Sequence, residues 1–231
     1  MLNSIAFIPD GNRRYAKLKK ISLFEAYRLG VKKAWQTIRW LEEYPSITTG
    51  TFYALSLKNL RRCKTELKLL FRIFEQEFEK VKKTDYFERR GIRIKFIGRT
   101  ELLSKRIQEK IADIEQYTGS FGKKLINIAL GYDGQREIVD AAMLIAEKYK
   151  EGELDINSLD EEKFKDYLYN NFPEPDLIIR TSGEQRLSGF LTYMSAYSEL
   201  YFCNKYWPEF SKKDLNNAME EYKRRERRFG K

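Results

Sequence analysis

The sequence predicts an α/β fold: a single domain over residues 1–231 with a central, mainly parallel six-stranded sheet flanked by helices in Rossmann-like layers. Three observations carry that expectation. Short apolar, β-rich runs punctuate the chain, segments with apolar residues at helical spacing separate them, and no repeat or low-complexity linker interrupts the alternation. Strands that alternate with helices build βαβ units, which require parallel neighbours and helices on both faces. At 231 residues the chain is long enough to bury a substantial core as one domain.

Taken in order, "SIAFI" (4–8) reads as the first strand, with a helix starting near Asn12 or Arg13. Phe24, Tyr27, Val31, Trp35 and Ile38 recur at the period of an amphipathic helix, and "TGTFYAL" (49–55) is the second strand. Leu67, Leu70, Phe71, Phe74, Phe78 and Val81 mark the next helix. The strands "IRIKFIG" (92–98) and "LINIAL" (125–130) follow, then helices at Ile138, Ala142, Ile145, Tyr149 and at Phe164, Tyr167, Leu168. "NNFPEPD" (170–176) is the clearest break, and the sheet elements "DLIIR" (176–180) and "ELYF" (199–202) come after it. The tail "EEYKRRERRFGK" (220–231) reads as a basic helix end running into Gly230, a charge cluster that complements the helix dipole.

Composition excludes several chemistries. There is no histidine, so Ser-His-Asp and Cys-His catalysis and histidine-ligated metals are ruled out. Cys63 and Cys203 are too few for a disulfide framework or a zinc site. No signal-peptide pattern and no apolar run of about 18 residues is present, so a cytoplasmic location is expected. The formal net charge of +10 favours an anionic partner. Abundant exposed ion pairs of a protein from a hot habitat would also enrich lysine and arginine. No RNA-binding motif accompanies the charge, so nucleic acid is not an expected partner.

In parallel sheets ligands gather at the carboxyl ends of the strands. The first strand ends in "IPDGNRRYAK" (8–17), which puts Asp10 at the strand end, Gly11 in a tight turn and Arg14 on the first helical turn. A helix amino terminus presents free N–H groups to an anion, and Asp10 is an oxygen ligand suited to Mg²⁺. A plain strand–turn–helix with an Asp or Asn cap is the competing reading. Past the second strand come Ser56, Asn59 and Arg62, a pattern that an ordinary turn would also give. "DLIIRTSGEQRLS" (176–188) delivers Arg180 into a hydroxyl- and glycine-rich loop with Arg186 and Ser188, a plausible diphosphate cradle. Glu199 opens the next strand as a second oxygen ligand for Mg²⁺. Neither a GxGxxG nor a P-loop pattern occurs.

Together "DGNRRYAK", "YALSLKN", "NIALGYDGQREIVDA", "RTSGEQRLS", "SAYSELYF", "WPEF" and "RRERRFG" resemble the cis-prenyltransferase family, the undecaprenyl and polyprenyl diphosphate synthases, in the family's order over residues 5 to 230. The wording around "DGNRRYAK" and "NIALGYDG" is nearest to archaeal members. The resemblance implies Mg²⁺-dependent condensation of isopentenyl diphosphate onto an allylic primer, farnesyl or geranylgeranyl diphosphate, to give a polycis-polyprenyl diphosphate, precursor of a glycosyl carrier lipid. Carried over by position, Asp10 is the principal catalytic residue and binds Mg²⁺ with Glu199. Gly11, Asn12, Arg13, Arg14 and Tyr15 hold the allylic substrate, and Ser56 and Arg62 join the substrate-binding set. Arg180, Arg186, Leu187 and Ser188 bind isopentenyl diphosphate. Asn59 matches an amide sometimes assigned to proton removal; an amide is a poor base, so orienting a group suits it better.

Arg228 and Gly230 fall on the family's Arg-x-Gly tail, which reaches the partner subunit's site and implies a homodimer. Release of a greasy product implies transient association with a membrane surface. Phe71, Phe74 and Phe78 are candidates for an apolar tunnel, with plain core packing as the alternative for each. This chain has Leu23 and Tyr27 where many members carry an arginine and a histidine. Lys58 replaces a glutamate, Leu60 an aromatic and Gly189 an asparagine; Arg28 or Lys58 is the candidate compensating cation. Those departures motivate a second reading, the accessory subunit of a heteromeric synthase.

Overall fold

In the computed structural model, which describes residues 1–225, six strands form one sheet in the order β3-β4-β2-β1-β5-β6. The elements follow the chain as β1 (Ser4–Ile8), α1 (Asn12–Lys19), α2 (Leu23–Leu41), β2 (Thr49–Ser56), α3 (Lys64–Lys83), α4 (Tyr86–Arg90), β3 (Ile92–Ile97), α5 (Lys105–Thr118), β4 (Lys124–Tyr132), α6 (Gly134–Lys150), α7 (Glu161–Phe164), β5 (Leu177–Arg180), β6 (Glu199–Phe202) and α8 (Lys212–Arg224). Every strand pairing is parallel, so the sheet is wholly rather than mainly parallel.

Side chains alternate across a strand, and β1 is buried on both faces for that reason. Ile5 and Phe7 join the larger core beneath α2, α3, α5 and α8, while Ala6 and Ile8 join a second core beneath α6 and the 164–172 segment. Phe7 stacks on Phe52 of β2 with ring centroids 4.8 Å apart, and Trp207 and Phe210 close the cluster. The chain leaves β1 for β2 on one side and returns to β5 on the other. The carboxyl ends of β1 and β5 therefore flank a topological switch point, the position at which open α/β sheets bind ligands. Register places Ile8 of β1 opposite Arg180 of β5.

Two helical expectations change in detail. On α6 the buried face is Gly134, Glu137, Ala141 and Ile145, while Ala142 and Tyr149 are exposed. The helix turns polar Glu137 inward because the Tyr132 hydroxyl and the Tyr169 backbone N–H donate to its carboxylate. The helix expected at Phe164, Tyr167 and Leu168 breaks into α7 and a 3₁₀ turn at Lys165–Tyr167. The periodicity there is too short to sustain an α-helix, and Asp160 caps the single turn that forms. No helix among the described residues is long and apolar enough to cross a membrane.

Burial raises the Glu137 carboxyl from 4.5 to about 6, against the lowering effect of its two hydrogen bonds. A carboxyl whose folded pKa is raised contributes stability that is full below pH 4.5 and lost as pH rises through 6. Glu137→Gln is therefore expected to match the parent in thermal melts near pH 4. At pH 7.5 it should be more stable, by about 2 kcal/mol at most.

Candidate active site

A cavity of about 750 Å³ opens at the carboxyl ends of β1, β2 and β5, with α1, α2 and α3 as its outer walls. Its mouth is polar and its far end apolar. Asp10, Asn12, Arg13, Arg14, Asn59, Arg62, Arg180 and Ser188 line the first, and Val31, Ala34, Leu55, Leu70 and Phe74 the second.

Asp10 sits two residues beyond β1, in a turn that its neighbours fix closely. The Thr181 hydroxyl accepts from the Asp10 N–H at 2.9 Å and donates to the Asp10 carbonyl at 2.8 Å. Gly11 has φ +100°, and a Cβ there would lie 2.6 Å from the Tyr206 ring, so only glycine fits. The Gly11 N–H donates to Asp10 Oδ1 at 2.6 Å. Gly30 of α2 lets Asn12 pack against the helix: a Cβ there would lie 2.3 Å from Asn12 Oδ1, a buried atom with no hydrogen-bond partner.

Arg180 ends β5 with its side chain only 5% exposed. Its guanidinium donates to Asp10 Oδ2 at 2.8 Å, to Ser188 Oγ at 2.9 Å and to the Arg186 carbonyl, while its Nε is buried without a partner. The loop that supplies those acceptors uses left-handed backbone at Ser182 (φ 79°), Gly183 (φ 74°), Ser188 (φ 54°) and Gly189 (φ 78°). Such backbone costs energy at a serine and persists only where the surroundings impose it. Arg14 approaches from α1, lying 3.4 Å from Asp10 Oδ2 and donating to Ser182 Oγ. Glu184 accepts from Arg14 at 2.9 Å and from Arg186 at 2.5 Å, linking the two arginines outside the cavity.

A second cluster stands at the other side of the mouth. Glu66, on the first turn of α3, is 7% exposed. Its Oε1 accepts from the Tyr27 hydroxyl at 2.6 Å and from Arg62 at 2.9 Å, and lies 3.9 Å from Arg13 Nε. Arg62 also donates to the Tyr27 oxygen at 2.9 Å. Burial, and then the hydrogen bond to Glu66, push the Tyr27 phenol well above its ordinary range, so it remains a donor. Tyr27→Phe removes one of the two partners of Arg62. The mutant should lose about 1 kcal/mol of stability, read as a lower denaturant midpoint at unchanged slope.

The structure thus brings Asp10, Gly11, Asn12, Arg13, Arg14, Ser56, Asn59, Arg62, Arg180 and Ser188 to one cavity. Ser56 serves the turn as well, since its hydroxyl accepts from the Asn59 N–H at 3.0 Å. Others sit elsewhere. Tyr15 does not line the cavity and lies beneath the Lys19 ammonium. The Arg186 side chain is 60% exposed and turned to Glu184, and Leu187 packs on the second core. Glu199 is off the cavity, its Oε2 accepting from Arg225 at 2.8 Å. Arg228 and Gly230 lie outside the described residues. Phe74 lines the cavity, whereas Phe78 is core, stacked on Phe74 at 6.0 Å and packed against Phe96 at 5.1 Å. Lys58 lines the mouth 3.7 Å from Asp133. Sequence reading missed Thr181, Glu184, Glu66 and Lys17. Spacing could have flagged two: Glu66 is one helical turn after Arg62, and Lys17 one turn after Arg14.

Among the described residues no three His, Cys, Asp or Glu side chains cluster as a protein-only metal cage. Asp10, 30% exposed in the cavity wall, instead fits a hard cation held by one carboxylate and by oxygens of a bound phosphate. A cationic mouth over an apolar body is the arrangement of a protein class suited to an anionic head on a hydrocarbon body.

The comparisons place that class in a family. Residues 8–230 match the family model described as "Putative undecaprenyl diphosphate synthase". A tritrans,polycis-undecaprenyl-diphosphate synthase (geranylgeranyl-diphosphate specific) from Methanocaldococcus jannaschii is 43% identical over 230 residues, 98% of this chain and 82% of that one. The Thermoplasma acidophilum protein of the same description is 44% identical over 227 residues, covering 98% and 88%. Among solved structures, lavandulyl diphosphate synthase from Lavandula x intermedia, in complex with dimethylallyl diphosphate, superposes with a TM-score of 0.93 at 33% identity over 99% of this chain and 98% of that one. The chain belongs to the undecaprenyl diphosphate synthase family, the cis-prenyltransferases, and it is a prenyltransferase.

Proposed function

We propose that this protein condenses isopentenyl diphosphate onto an allylic diphosphate, with geranylgeranyl diphosphate the favoured primer, to make a polycis-polyprenyl diphosphate for a glycosyl carrier lipid. The observation that carries this reading is the contact between Asp10 and Arg180 across the β1/β5 switch point, at the mouth of a cavity whose far end is apolar. Primer preference follows the descriptions of the archaeal relatives.

In this reading the allylic diphosphate rests on the α1 amino terminus, against Arg13, Arg14 and Arg62, with its hydrocarbon running between α2 and α3. Isopentenyl diphosphate takes Arg180 and Ser188, and Arg186 swings from Glu184 to join it. The allylic C–O bond breaks with its electron pair on the departing diphosphate. The isopentenyl double bond attacks the freed carbon, a C–C bond forms, and loss of a proton restores a double bond. Asn59 orients the reacting end, and the proton passes to water or to the released diphosphate, since no histidine is available. The arginines and N–H groups stabilise the charge that develops on the leaving group.

Asp10 would hold Mg²⁺ together with substrate oxygens, and the cation would supply charge neutralisation for the departing diphosphate. Glu199, off the cavity, would join as a ligand through a shift of its carboxylate, whose Oε2 accepts from Arg225. We further assign a homodimer, in which the Arg228 and Gly230 tail serves the second copy. The exposed Val139, Met143 and Leu144 on α6 offer an apolar surface for it. The product would be handed over during transient contact with a membrane surface from the cytoplasm.

The test is direct. The purified chain with labelled isopentenyl diphosphate, Mg²⁺ and a primer should yield butanol-extractable label. No such product with farnesyl, geranylgeranyl or dimethylallyl diphosphate would overturn the reading.

A further inference from the structure

The cavity is too small for a long product. At roughly 25 Å³ per carbon, the packing of a small hydrocarbon in a dry protein cavity, a chain of about 55 carbons needs on the order of 1,400 Å³. The cavity holds about 750 Å³, headgroups included. A product of the undecaprenyl length named for the archaeal relatives would therefore need the wall to open during growth, and its apolar end shows where. The last helical residues to line it are Ala34 of α2 and Phe74 of α3. Immediately beyond them Trp35 Nε1 donates to Glu77 Oε2 at 2.9 Å, the second polar tie between α2 and α3 after the Tyr27–Glu66 hydrogen bond at the mouth. Glu77 is 13% exposed and its other oxygen accepts from Lys80 at 2.5 Å. The Trp35 ring abuts buried Phe87 edge-on at 5.7 Å, and Phe78 and Phe96 continue the apolar core past the tie. Neither Trp35 nor Glu77 lines the cavity.

We propose that the Trp35–Glu77 hydrogen bond is the determinant of product length: it holds α2 against α3, and chain growth stalls when the hydrocarbon can no longer part them. This rests on the prenyl-transfer reading above. A tie of this kind discriminates by length alone, because a chain shorter than the cavity never meets it. Breaking it should leave headgroup binding and each early condensation untouched while allowing more of them.

The experiment uses the full-length chain with labelled isopentenyl diphosphate and the primer the parent accepts, followed by dephosphorylation and chromatography against polyprenol standards. Glu77→Ala and Trp35→Phe should both shift the main product upward by at least one isoprene unit, with total label incorporated within about twofold of the parent. Glu77→Gln keeps an oxygen for the indole N–H and should keep the parental length, a rescue that loss of the Lys80 ion pair alone would not give. If Glu77→Ala melts at assay temperature, Trp35→Phe carries the test by itself. Parental product lengths in folded, active Trp35→Phe overturn the proposal and leave the prenyl-transfer reading standing. An inactive parent overturns that reading instead.

Discussion

Asp10→Ala is expected to lower kcat by about a thousandfold, the loss typical when a preorganised group that acts on developing charge is removed. The reason is local. Asp10 is where the Arg180 fork, the Arg14 guanidinium and the Gly11 N–H converge, so it both aims those donors and offers the oxygen for a cation. Stability should change little, by about 1 kcal/mol, because the carboxylate is partly solvated and its backbone is still held by Thr181. Asp10→Asn keeps the shape and the Gly11 contact but not the charge, and should be nearly as inactive. Single-turnover assays with melting curves in parallel check both variants. Activity of the lone chain that vanishes in Asp10→Ala would eliminate the accessory-subunit reading, whereas equal activity of Asp10→Ala and parent would overturn the role given to Asp10.

Arg180→Met should show a different signature, with activity and stability falling together. Arg180 is 4% exposed and holds three acceptors, two of them in the loop with left-handed backbone. Losing it leaves Ser188 Oγ, the Arg186 carbonyl and Asp10 without their shared donor, at a cost of about 2–4 kcal/mol. The KM for isopentenyl diphosphate should rise roughly a hundredfold, the equivalent of a lost charge-assisted pair, and the KM for the allylic primer by less than about fivefold. Arg180→Lys should not rescue it, because an ammonium cannot reproduce three bonds of a planar fork. Denaturant titration and the split between the two KM values read the two effects separately.

The layered α/β architecture was legible because β1 and β5 are buried on both faces and appear as near-continuous apolar runs, while β2 and β4 stay β-rich despite Thr51 and Asn127. Strand-end reasoning located Asp10 and Arg180 for the same reason: both directly follow such a run. Side-chain direction was not legible. Arg180 and Arg186 lie six residues apart, yet Arg180, at the end of β5, points to Asp10 in the cavity, while Arg186, in the loop past the left-handed Ser182 and Gly183, turns to Glu184. Glu66 escaped notice because it is one of many charges on α3, and nothing in its sequence neighbourhood marks it as the buried one. Its burial depends on Tyr27 and Arg62 arriving from α2 and the turn after β2. Tyr27 looked like a missing donor and proves to be part of a three-member hydrogen-bonded cluster.

The pairing of two headgroups over Asp10 is best tested by a crystal structure of the protein with Mg²⁺, isopentenyl diphosphate and a non-cleavable thio analogue of the allylic diphosphate. The account predicts one diphosphate at the Gly11–Arg14 turn and the other on Arg180 and Ser188, with both hydrocarbon ends directed between α2 and α3. Two well-ordered headgroups bound away from Asp10, or hydrocarbon lying outside the cavity, would contradict it.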